Sequence, residues 1–127
     1  MNHEELVIRA FYERKRQERL IAQLQQPKRR EETVRYLLSH GHDLDPRYVT
    51  WLHRSTRPIP LLLAAGSPKK VAVVFADTPR QGQVLLLEEA LESPCCMIVS
   101  CIPGRLAYYR AEEGALNGIL QRKDAPP

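Results

Sequence analysis

The basic charge of this chain is concentrated in its first 57 residues, and this asymmetry constrains the fold more than any other feature. Residues 1–57 hold twelve Lys and Arg against eight Asp and Glu, whereas residues 58–127 hold seven of each. The first part contains apolar residues at helical spacing, and the second consists of short apolar runs separated by Gly and Pro. We therefore expect charged helices followed by a neutral sheet, which is an α+β arrangement.

Three helices are predicted in the first part. The first covers about residues 4–25, with an apolar cluster at each end and a charged middle. The second covers about residues 30–39, and Gly41 is expected as its left-handed stop residue. The third covers residues 45–54, where Asp45 is a typical N-cap and Pro46 suits the first helical position.

Strands are predicted after Pro58, beginning with an extended entry at residues 58–60 and two apolar runs at residues 61–65 and 71–76. Residues 84–87 are expected to form a short strand that leads into a brief helix at residues 88–92. An alternative interpretation makes residues 79–92 one helix.

The clearest hairpin is predicted for residues 95–102 and 105–111, around the turn dipeptide Pro103-Gly104. Because a type II turn fits the twist of a tight hairpin poorly, we expect a bulge or a looser loop there. Residues 95–102 are apolar on both faces, which indicates a central strand covered on both sides. Residues 113–122 are expected to form a short C-terminal helix, since their apolar residues recur at helical spacing.

Together these elements predict three N-terminal helices packed on one face of an antiparallel meander of three to four strands, followed by the short C-terminal helix. We expect residues 1–123 to form one domain and residues 124–127 to form a flexible tail.

The composition argues against a membrane or secreted protein. No apolar stretch approaches the ~20 residues needed to cross a bilayer, and residues 2–5 do not resemble the basic start of a secretory signal. Three cysteines within seven residues form a poor disulfide framework. We therefore expect reduced thiols and a cytoplasmic location.

The candidate binding site is a basic array on the predicted first helix and on the short run Lys28–Arg30 that follows it. Arginine forks suit carboxylate and phosphate recognition, and the acidic residues between them suit a mixed-charge interface. The sequence therefore predicts a non-enzymatic binding or regulatory domain without a cofactor or metal, with a protein partner favoured, nucleic acid possible and the oligomeric state left open. The predicted contact residues are Arg9, Arg14, Lys15, Arg16, Arg19, Lys28, Arg29 and Arg30.

One alternative is a small metal-dependent hydrolase or nuclease. His40, His42, Asp43 and Asp45 place four potential metal ligands within six residues. The structural explanation of the same segment is that Asp45 caps a helix.

A second alternative is a helix-turn-helix DNA-binding regulator. The helices predicted at residues 30–39 and 45–54 are joined by a short turn that contains Gly41. In that case Arg47, Thr50 and Arg54 would face DNA.

Overall fold

The computed structural model describes residues 2–39, 41–111 and 116–123. They form helices and one antiparallel sheet, so the α+β class is confirmed, although the arrangement differs from the prediction. The helices are α1 (His3–Phe11), α2 (Arg14–Leu24), α3 (Pro27–Ser39), α4 (Pro58–Ala64) and α5 (Leu87–Glu92). The strands are β1 (Val49–Leu52), β2 (Lys70–Ala76), β3 (Val84–Leu86), β4 (Met97–Ile102), β5 (Leu106–Arg110) and β6 (Asn117–Gln121).

The sheet has six strands in the order β1-β6-β5-β4-β2-β3. The predicted count of three to four strands was wrong because two segments expected as helices pair with each other at one edge. Val49 of β1 lies opposite Leu120 of β6, and Leu52 lies opposite Asn117. In β6, Ile119 and Leu120 point into different cores. An apolar run that is covered on both faces fits a strand as well as a helix, which explains the incorrect prediction of a C-terminal helix.

Helices cover both faces of the sheet, rather than the one face that we expected. The first core lies between the sheet and α1, α2 and α3, and the second lies between the sheet and α4 and α5. Ile98 belongs to the first core and Val99 to the second, and both are fully buried. The prediction that this strand, β4, is central and covered on both sides is confirmed.

The predicted first helix is broken at Tyr12. Tyr12 forms an isolated bridge with Leu44, and the N–H of Glu13 donates to the carbonyl of Asp43 at 2.7 Å. These contacts with a distant loop replace helical hydrogen bonds. They separate α1, whose inner face includes Phe11, from α2.

The predicted third helix is wrong beyond its first turn. Asp45 does act as an N-cap, accepting from the N–H of Arg47 at 3.0 Å, but only a short 3-10 helix (Pro46–Tyr48) follows. Val49 and Trp51 are of the β-branched and aromatic types that favour strands, and they continue as β1. Gly41, the expected left-handed stop, has no positive φ.

The second half of the chain follows the prediction more closely. Strand β2, the short strand β3, helix α5 and the hairpin of β4 and β5 are confirmed, and the register shifts between Ser100 and Ile102, as the expected bulge requires. The single helix over residues 79–92 was wrong. Residues 58–64 are helical instead of extended, with Pro58 in the first turn, where its missing N–H costs no hydrogen bond. The predicted tail at residues 124–127 lies outside the described residues.

Candidate functional site

Side chains of α2 line two grooves on the helical layer. The first, which we name the α2–α3 groove, has a volume of about 480 Å³. The second, the α1–α2 groove, has a volume of about 580 Å³. The α2–α3 groove is lined by Arg16, Arg19, Leu20, Gln23, Arg29, Glu32, Thr33, Tyr36 and Asp43. The α1–α2 groove is lined by Arg9, Ala10, Tyr12, Arg14, Gln17, Glu18, Asp45, Arg47, Tyr48 and Arg122.

The predicted basic array is therefore divided between grooves and does not form one continuous patch. The α2–α3 groove receives Arg16, Arg19 and Arg29. The α1–α2 groove receives Arg9 and Arg14. Of the others, Lys15 and Lys28 are exposed, and Arg30 lines a separate depression beside β2.

Two of the predicted contact residues hold the helices together. Arg30 of α3 donates to both carboxylate oxygens of Glu4 in α1, with one contact at 2.8 Å, and to the carbonyl of Leu24 at 3.3 Å. Arg9 of α1 donates to Glu18 of α2 at 2.8 Å. The hydrogen bond to Glu4 raises the pKa of Arg30. Arg30 therefore links α3 to α1 and to the end of α2, and Arg9 makes an exposed ion pair between α1 and α2.

A different set of the predicted cations makes no ion pair among the described residues. These side chains are exposed and, within residues 2–39, 41–111 and 116–123, none lies within 4 Å of a carboxylate. They are Arg14, Lys15, Arg19, Lys28 and Arg29. All five lie on α2 or on the first turn of α3.

A buried carboxylate lies at the floor of the α2–α3 groove. Asp43 is 6% exposed and accepts a hydrogen bond from the hydroxyl of Tyr36 at 2.7 Å. Its other oxygen lies 3.6 Å from Nε of Arg16. The hydrogen bond to Asp43 raises the pKa of Tyr36. Because a buried charge requires such partners, Asp43 fixes Arg16 against the groove floor.

The α1–α2 groove contains residues that sequence reasoning did not assign to a site. The side chain of Arg47 donates to both oxygens of Asp45, at 3.1 Å from Nε and 2.7 Å from Nη2, and this pairing lowers the pKa of Asp45. The guanidinium carbons of Arg47 and Arg122 lie 5.0 and 4.6 Å from the centre of the Tyr48 ring. Arg47 was considered only as a DNA-facing residue, and Arg122 is too distant in sequence for any local pattern to indicate this contact.

The two aspartates proposed as metal ligands line different grooves. Asp43 belongs to the α2–α3 groove and Asp45 to the α1–α2 groove, each with an arginine partner. His40 lies outside the described residues, and His42 is exposed. Among the residues that the structure describes, no three His, Cys, Asp or Glu side chains are grouped as metal ligands would be.

The second alternative, a helix-turn-helix, lacks its recognition helix. Residues 45–54 hold the short 3-10 helix and the edge strand β1 in place of the helix that would enter a groove of DNA. Arg47 points to Asp45 and Tyr48 instead.

None of the described helices has both the length and the apolar character required to cross a bilayer. Comparison with known proteins finds no matching family model, no matching curated protein and no matching solved structure.

Proposed function

We propose that this protein is a non-enzymatic binding or regulatory domain that contacts a protein surface of mixed charge through α2 and the first turn of α3. The observation that carries the proposal is the set of exposed cations, Arg14, Lys15, Arg19, Lys28 and Arg29, that have no carboxylate partner in the described part of the chain. The opposite side of α2 is buried in the first core. The helix is thereby anchored, and its cations face outward.

A protein partner is favoured over nucleic acid because carboxylates lie among these cations. Glu18 is 80% exposed at its side chain and lies beside the α1–α2 groove, and Glu32 lines the α2–α3 groove. A phosphate backbone would be repelled by these groups, whereas a protein surface of mixed charge can match them.

The proposed domain comprises residues 1–123 and acts in the cytoplasm. Cys95, Cys96 and Cys101 are all free thiols in the structure. A reducing compartment would keep them in that state.

The test is capture of partners by the tagged full chain from its native host, at low and moderate salt, with and without nuclease treatment. A triple variant, Arg14→Glu with Lys15→Glu and Arg19→Glu, reverses the α2 charges. A control variant carries Arg54→Glu, Arg57→Glu and Lys69→Glu, at exposed residues outside α2 and α3. It changes the net charge of the protein by the same amount as the α2 variant. Circular dichroism verifies that both variants fold.

We expect one partner to be captured by the wild type and by the control variant but not by the α2 variant, with binding that weakens as salt increases. Equal capture by all three proteins would refute the assignment to α2. Loss of the captured material after nuclease treatment would identify nucleic acid as the partner and overturn the choice of a protein.

A further inference from the structure

The α2–α3 groove follows one stripe of each helix and has a polar floor. Its lining residues on α2 and on α3 recur at spacings of three and four, so the groove runs along two turns of both helices. Between the helices, the hydroxyl of buried Thr33 donates to Oε1 of Gln23 at 3.4 Å. We propose that the groove receives one acidic side chain of the protein partner, bound above this Gln23–Thr33 pair. This inference rests on the contact surface proposed above and names the group that the surface recognises.

Two arginines flank the Gln23–Thr33 pair along the groove. Arg19 lies four residues before Gln23 in α2, and Arg29 lies four residues before Thr33 in α3. Because residues 25–26 reverse the chain between the helices, the two arginines approach the pair from opposite directions. Residues four apart are neighbours on a helix surface, so both guanidinium groups can reach a carboxylate above the pair.

These side chains have donors to offer to such a carboxylate. In the part of the chain that the structure describes, no carboxylate lies within 4 Å of the guanidinium groups of Arg19 and Arg29. Gln23 accepts through its amide oxygen, which leaves its amide nitrogen directed away from Thr33. The guanidinium fork matches the two oxygens of a carboxylate, and the amide nitrogen carries two further N–H donors.

The net charge of the groove suits an anion with a single charge. Its described lining contains three arginines and two carboxylates, Glu32 and Asp43. Arg16 lies 3.6 Å from Asp43, and the charges of these two groups cancel. Arg19 and Arg29 then face the one charge of Glu32, which leaves an excess of one positive charge. A carboxylate balances this excess, whereas a phosphate dianion would exceed it and would be repelled more strongly by Glu32.

The test is a titration of the isotope-labelled full chain, followed by NMR at constant ionic strength. The probe is a glutamate blocked by an N-acetyl group and a C-terminal amide, so that the side chain carries its sole charge. The control is glutamine blocked in the same way, which has the same shape and no charge. A third compound, N-acetyl-glutamine with a free C-terminal carboxylate, distinguishes a side-chain carboxylate from a chain terminus.

We expect the blocked glutamate to shift the Nε–Hε signals of Arg19 and Arg29 and the side-chain amide of Gln23. The shifts should saturate with a dissociation constant on the order of 10 mM, as a few charge-assisted hydrogen bonds imply. The blocked glutamine should cause no saturable shift. Absence of saturation by the blocked glutamate at up to about 100 mM would overturn the proposal. Tighter binding of N-acetyl-glutamine would assign the groove to a chain terminus and overturn the choice of a side chain.

Substitutions then locate the site. Arg29→Gln is expected to weaken binding of the blocked glutamate by about tenfold, the usual effect of losing one charge-assisted hydrogen bond. The matched control is Arg54→Gln, at an exposed residue outside α2 and α3, which should leave the dissociation constant unchanged. Glu32→Gln should tighten binding, because it removes a repelling charge from the groove. Equal weakening by Arg29→Gln and Arg54→Gln, or weaker binding after Glu32→Gln, would contradict the proposed site.

The groove and the contact surface fail separately. Loss of capture by the α2 charge-reversal variant without saturable binding of the blocked glutamate would refute the groove and leave the contact surface standing. Saturable binding of the blocked glutamate with unaltered capture by that variant would refute the contact surface and leave a carboxylate site without its partner.

Discussion

Replacement of Gly118 by alanine is expected to destabilise the protein, because Gly118 provides the space that the Trp51 side chain occupies. The two residues face each other across β1 and β6. A Cβ atom on Gly118 would lie 2.9 Å from Cε3 of Trp51, 3.1 Å from the carbonyl oxygen of Thr50 and 3.2 Å from Cγ2 of Val49. Contacts this short force the indole ring or the strand to move.

The magnitude follows from two opposing effects. Overpacking of a fitted site costs about 1–3 kcal/mol. Gly118 does not have a positive φ, so alanine can adopt its backbone conformation and restores about 0.4–1 kcal/mol by restricting the unfolded chain. The net expectation is a loss of about 1.3 kcal/mol in the free energy of unfolding, within a range of about 0–2.6 kcal/mol.

Urea unfolding followed by circular dichroism measures this loss. Fluorescence is unsuitable because Trp51 is the sole tryptophan and is itself replaced in the second half of the test. In a Trp51→Ala background the closest contact disappears while those to Thr50 and Val49 remain. The cost of Gly118→Ala should therefore fall by at least about 0.5 kcal/mol, as expected for residues in direct contact.

Two results would refute this reasoning. If Gly118→Ala stabilises the protein, the strands at this edge do not approach each other as closely as the structure shows. If its cost is the same with and without Trp51, the indole ring does not lie against Gly118.

Three further substitutions or treatments test other parts of the structure. Tyr109→Phe removes the hydrogen bond from a buried hydroxyl to the carbonyl of Leu37 at 3.1 Å and should lower the free energy of unfolding in urea by about 1 kcal/mol; unchanged stability would contradict that bond. Tyr12→Phe removes a buried hydroxyl that makes no hydrogen bond within the described residues and should raise the same free energy by about 1 kcal/mol, so a decrease would show that this hydroxyl has a partner. Burial and a hydrogen bond to Asp77 raise the pKa of Cys96 to about 12. Native Cys96 should therefore resist labelling by iodoacetamide at pH 8, as measured by mass spectrometry. Rapid labelling of the folded protein would contradict the protonated state of this thiol. Because the unfolded thiol ionises first, the contribution of Cys96 to stability should be present below about pH 8.5 and be lost as pH rises toward 12.

The sequence predicted those parts of the fold that depend on local signals. Asp45 and Pro46 predicted the start of a helix over residues 45–54, and only that start is correct: Asp45 caps a short 3-10 helix, which a strand follows. Residues 95–102 indicated a buried central strand because both of their faces are apolar, and β4 occupies that place. In each case the residues that carry the signal lie close together in the chain.

The edge of the sheet was mispredicted because its determinants are distant in sequence. Strands β1 and β6 pair across more than 60 residues, and their apolar residues fit a helix as well as a strand. The fit of Trp51 against Gly118 selects the strand pairing, but it becomes visible only once the two segments meet. Gly118 lies in the segment of residues 113–122 that was predicted to be a helix.

The candidate site, like the fold, could be predicted from the sequence only in part. The basic character of α2 could be predicted from its arginines, since an exposed helix keeps its charged residues in solvent. The division of the array into two grooves could not, because Arg47 and Arg122 enter the α1–α2 groove from other segments. The internal pairing of Arg30 with Glu4 depends on how α3 packs against α1.

The central claim is that the outer side of α2 is the contact surface for a partner, and hydrogen exchange tests it most directly. The exchange of backbone amides would be compared between the free protein and its complex with the captured partner. We predict slower exchange in the complex at α2 and at the first turn of α3, with unchanged exchange at the edge strands β1 and β3. Slower exchange confined to β1 or β3 would show that the partner pairs with the sheet edge and would contradict the claim.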